Sequence, residues 1–108
     1  MNERPRTAQE YVELVRQAIF DIEDMIEAMG FDIDEIESSP AYLDVLLKEL
    51  RAVRTSMADG SYQFGRHDLP MMRIVKRYTE KEIPCIRLLY LINQTHREGL
   101  DISGGRSA

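Results

Sequence analysis

Apolar residues recur at helical spacing through most of this chain, and no stretch alternates as a strand would. Tyr11, Val15, Ala18, Ile22, Met25 and Met29 step by four and three, with Val12, Ile19 and Ile26 widening the stripe. Thr7 and Glu10 are spaced as a capping box, and Gly30 follows as a terminator. The pattern predicts a first helix over 7–29. Leu43, Leu46, Leu50, Val53 and Met57, with Leu47, predict a second over 40–59, opened by Ser39 and Pro40 and closed by Gly60. Met71, Ile74, Val75 and Tyr78 predict a third over 69–81, with Asp68 as its cap. It weakens ahead of Pro84, and a fourth runs over 84–98 to Gly99. The third and fourth helices read equally as one kinked helix. The fold expected is a single all-α domain, a four-helix bundle with mostly antiparallel neighbours over 7–102. Residues 1–6 are expected as a flexible arm and 103–108 as a flexible tail.

The fourth helix changes the picture. Between Cys85 and Ile92 only Arg87 is polar. At 100° per residue, the apolar positions cover roughly 260° of the circumference, where a surface helix needs about 100°. Either the other helices surround it, or a second chain covers the surplus. Leu88, Tyr90 and Leu91 are therefore candidate contacts for a partner, a homodimer being the simplest. The loop 61–67 adds Tyr62, Phe64 and Arg66, near Met57, Met71 and Met72. Such a mixture suits a binding surface, although an aromatic lid on the end of the bundle is the plainer reading.

Charge sharpens this further. The whole chain is mildly acidic at −5 over 108 residues. Residues 1–50 hold 13 acids and 4 bases, net −9, whereas residues 51–108 hold 6 acids and 10 bases, net +4. Asp21, Asp24, Glu27, Asp34 and Glu37 mark an acidic surface, and Arg73, Lys76, Arg77 and Lys81 would share one face of the third helix. The two surfaces either answer each other within the chain or dock partners of opposite charge.

Candidate chemistry is sparse. Phosphate-loop, dinucleotide, zinc-protease and nucleophile-elbow motifs are missing from the sequence, so a non-catalytic role is expected. Asp32, Asp34 and Glu37 lack the central Gly and the spacing of a calcium loop. One Cys and two His do not match zinc spacing, and no cofactor is expected. Cys85 falls in the first turn of a helix, where a thiolate is favoured, although a small buried apolar role is the plainer reading. The basic face of the third helix offers an alternative as a nucleic-acid grip, opposed by the net charge. The apolar runs are too short to span a membrane. A lone cysteine and no export signal suggest the cytoplasm. The sequence thus points to a small interaction or regulatory protein that self-associates or binds another protein.

Overall fold

A computed structural model describes residues 4–30 and 40–102. It is all-helical among these residues, with α1 at Ala8–Ala28, α2 at Ala41–Asp59, α3 at Met72–Val75 and α4 at Ile86–Glu98. Ser39, expected to cap α2, lies outside the described residues, and Pro40 occupies the cap position itself.

Local signals act as the residue types dictate, with one refinement. The Thr7 hydroxyl accepts from the Glu10 amide at 3.0 Å, which opens α1. The Glu10 carboxylate reaches back one residue further than expected, accepting from the Arg6 amide at 2.8 Å. At the other end of α2, Gly60 takes φ 83°, a left-handed conformation that costs glycine little.

The third helix is much shorter than the predicted 69–81. It holds four residues, flanked by tight turns in which Arg77 and Tyr78 donate three residues back to Ile74 and Val75. The cause lies at Thr79 and Glu82. The Thr79 amide donates to the Glu82 carboxylate at 2.8 Å, and the Lys81 amide donates to the Thr79 hydroxyl at 3.2 Å. These side chains take over backbone groups that a continuing helix would use, and start a new turn before Pro84. The third and fourth helices are consequently separate. Asp68 caps no helix.

The core is one cluster. α1 contributes Tyr11, Val15, Ala18, Ile19, Ile22 and Ile26, and α2 contributes Leu43, Leu46, Leu47 and Leu50. α1 packs closely against both α2 and α4, whose own Cα atoms stay more than 8 Å apart. The segment between α2 and α4 fills the remaining side with Leu69, Met71, Met72, Val75 and Ile83. Residues 4–6 are tied down rather than loose. Arg4 donates to the Gly99 carbonyl at 2.7 Å, and the Asp101 amide donates to the Pro5 carbonyl at 2.8 Å.

α4 is wrapped accordingly. Ile86, Leu89, Leu91, Ile92, Asn93 and Thr95 are all buried. On a helical wheel these positions span roughly 220°. Most of the surplus apolar arc is covered by the chain itself. Truncating Leu89, fully buried at 0% exposure, to alanine should cost about 2–5 kcal/mol in urea unfolding, whereas Tyr90→Ala on the outer pole should cost less than about 0.5 kcal/mol. Equal costs would show that α4 is not packed in this way.

Candidate functional site

The residues that sequence reasoning selected fall into three places. Leu88 is half-buried against the core, and Leu91 is buried at 6% exposure outside the main cluster. Only Tyr90, 43% exposed, presents a large apolar side chain from the outer pole of α4. The expectation of a broad apolar face on α4 is thereby corrected, because α1 and the 61–83 segment occupy it.

Tyr62 and Phe64 come together with Tyr11 at one end of the domain. The Tyr62 ring stands nearly perpendicular to Tyr11 and to Phe64, with centroids 5.7 and 5.3 Å away. Tyr11 and Phe64 stack at 5.7 Å. Phe64 remains 47% exposed, and Arg66 points to solvent while its carbonyl accepts from the Arg97 side chain. The loop is thus an aromatic lid. It is bounded by a groove of about 440 Å³ on the α2 side, lined by Val53, Ser56, Leu69, Met71, Tyr62 and His96. A smaller cavity of about 240 Å³, lined by Val12, Met57, Tyr11 and Phe64, also borders Tyr62.

A polar relay runs beneath the rings. The Tyr11 hydroxyl lies 3.1 Å from the Ile92 carbonyl and 2.8 Å from the Tyr62 hydroxyl, which lies 2.7 Å from His96 Nδ1. Three hydrogen bonds need three protons. The carbonyl has none and each tyrosine has one, so the third must sit on His96 Nδ1. The order is then His96 to Tyr62 to Tyr11 to the Ile92 carbonyl, and Nε2 keeps its lone pair. Burial pushes the Tyr11 and Tyr62 hydroxyls above the usual tyrosine range. Burial also lowers His96, against an opposing pull from Asp68.

Asp68 and Asn93 form the second polar anchor. Buried Asn93 accepts from the Leu69 amide at 2.8 Å and donates to Asp68 at 3.0 Å. Asp68 also meets Lys76 at 2.7 Å and Arg97 at 3.4 Å. Hydrogen bonds from Lys76 and Asn93 hold its carboxyl down at about 2. Sequence reasoning missed this role for Asn93, although a helical wheel places it inside the apolar arc, between Ile86 and Leu89. The Tyr11–Tyr62–His96 relay has no comparable signal, since it joins residues far apart in sequence.

The charged surfaces are arranged differently from expectation. No Cα atoms of α1 and α3 come within 8 Å, and no ion pair among the described residues joins the acidic side chains of α1 to the basic 73–81 segment. Glu23 pairs with Arg51 of α2 at 2.7 Å. Asp21 accepts from Gln17 at 2.7 Å, and neither Asp24 nor Glu27 pairs with a base among the described residues. Asp34 and Glu37 lie outside the described residues. Arg73 pairs with Glu49 of α2 at 3.0 Å, and Lys76 with Asp68. Arg77 and Lys81 are exposed. The four bases do not share one helical face, because the helix meant to carry them stops at Val75.

Cys85 fits the plainer of its two readings. It is half-buried at the cap position of α4, and burial, aided by Asp21, pushes its thiol up to about 11. It therefore stays protonated at neutral pH, without the thiolate expected of a helix N-terminus. Among the described residues, no three His, Cys, Asp or Glu side chains are placed to hold one metal ion, and no helix is long and apolar enough to cross a membrane. Compared with protein-family models, curated proteins and solved structures, the chain finds no match.

The Asn93 anchor gives a direct test. Asn93→Leu strands the buried Leu69 amide and should cost about 1–3 kcal/mol in urea unfolding. Gln94→Leu, on the exposed neighbour, should stay within about 0.5 kcal/mol. A neutral Asn93→Leu would mean that the loop is not held by this bond.

Proposed function

We propose that this chain is a small non-catalytic helical interaction protein that docks a basic protein partner on the outer face of α1. The supporting observation is that Arg73 pairs with Glu49 and Lys76 with Asp68, so no ion pair among the described residues joins the acidic half of α1 to the 73–81 segment. Asp24 and Glu27 are exposed on that face, and Phe20, 61% exposed, lies among them at helical spacing. Acidic residues around an exposed aromatic favour a positively charged partner that also covers apolar surface. Self-association through α4, which its apolar arc suggests in isolation, loses its argument once Ile86, Leu89, Leu91 and Ile92 are covered within the chain. A cytoplasmic setting fits the single thiol of Cys85.

The chain has no tryptophan, so a lysine-rich probe peptide carrying one Trp can be followed by its own fluorescence. Its affinity should fall as salt rises, and should drop at least about tenfold in the Asp24→Lys, Glu27→Lys double variant. Arg66→Gln, on the opposite-sign loop, should leave it within about twofold. Binding indifferent to the α1 reversals would refute the reading.

A further inference from the structure

We infer that the groove between α2 and the 61–71 segment binds a small neutral aromatic molecule that donates a hydrogen bond, a ligand of the phenol class. This site stands apart from the acidic face of α1 and does not depend on it.

Size and walls favour such a ligand. The groove holds about 440 Å³, and small-molecule sites commonly run from roughly 300 to 1,000 Å³. Its walls are mainly apolar, with Val53 on α2 facing Leu69, Pro70 and Met71 of the segment. The Tyr62 ring and the Met71 thioether both favour a flat aromatic guest over an aliphatic one. Charge at the rim is already cancelled. Lys48 pairs with Asp44 at 3.2 Å, and Glu49 pairs with Arg73 at 3.0 Å. A charged ligand would lose its water there without gaining a counter-ion, whereas a neutral one loses little.

The direction of hydrogen bonding is set by where the lining groups have spent their protons. The Ser56 hydroxyl donates to the Val53 carbonyl at 2.7 Å. The Ser61 side chain bonds the Asp59 carboxylate, which can only accept. Tyr62 gives its proton to Tyr11 and receives the Nδ1 proton of His96. The Leu69 amide is taken by Asn93. What Ser56, Ser61 and His96 retain is lone pairs, and the Nε2 lone pair of His96 is the strongest acceptor of these. Gln63 carries both a donor and an acceptor, so it selects neither. An ether or ketone would set its own lone pairs against those of the site. A ligand O–H completes them instead.

The test is NMR shift mapping on the intact chain with three probes of similar shape, p-cresol, p-methylanisole and p-toluate. p-Cresol should bind in about the millimolar range that so small a ligand allows, and should shift the amides of Val53, Ser56, Tyr62 and Met71. Capping its hydroxyl, in p-methylanisole, should weaken binding about fivefold or more, the worth of one net hydrogen bond. The charged p-toluate should bind at least about tenfold more weakly than p-cresol. Ala52→Phe adds a ring to the groove from an exposed position on α2, so it should abolish p-cresol binding and leave the urea midpoint unchanged. Equal affinity for p-cresol and p-methylanisole would overturn the inference. So would preference for p-toluate, shifts centred on the Tyr11–Phe64 cavity, binding that survives in Ala52→Phe, or no shift with p-cresol at all.

Discussion

A helix that is apolar around most of its circumference has to be wrapped, and the rest of this domain is arranged to wrap α4. One side is taken by α1, whose stripe from Tyr11 to Ile26 also supports α2. The Cα atoms of α2 stay more than 8 Å from those of α4, so the opposite side falls to the connecting segment. It delivers Leu69, Met71, Met72, Val75 and Ile83 from a succession of short turns. The shortness of α3 and the burial of α4 are two sides of one requirement.

Irregular backbone laid over a helix brings its own demand, since its amides and carbonyls leave water and need partners. The polar residues inside the arc of α4 meet it. Asn93 receives the Leu69 amide, Thr95 satisfies its own hydroxyl on the Leu91 carbonyl, and His96 receives the Gly65 amide on its carbonyl while its Nδ1–H donates to Tyr62. The site-like features of the molecule follow from these anchors. The aromatic lid, its two flanking cavities and the Asp68 cluster all lie where the segment is fastened to α4. The charged exterior follows as well. With Arg73 engaged by Glu49 of α2 and Lys76 by Asp68, the acidic residues Asp24 and Glu27 of α1 are left facing outward.

Much of this architecture is legible from residue order. The spans of α1, α2 and α4 follow from apolar spacing, and Thr7, Gly60 and Gly99 mark ends where they were expected. What escapes the pattern is competition between local signals. Met71 to Tyr78 has a helical period, but Thr79 and Glu82 form a stronger local arrangement that starts a fresh turn. The charge split was visible along the chain, yet which helices touch is a tertiary fact, so apposition of α1 and α3 was a reasonable expectation that packing overrode. The relay from Tyr11 to His96 depends on three elements meeting, and nothing in the spacing of those residues announces it. By contrast, Asn93 sat in plain view as a polar residue within an apolar arc.

One chain buries most of the apolar arc of α4. Sedimentation equilibrium at physiological salt, with urea unfolding followed across a hundredfold range of protein concentration, tests it most directly. The account predicts the mass of a single chain throughout and an unfolding midpoint that does not move with concentration. A dimer whose midpoint rises with concentration, and whose dissociation exposes Leu88 or Leu91, would contradict it.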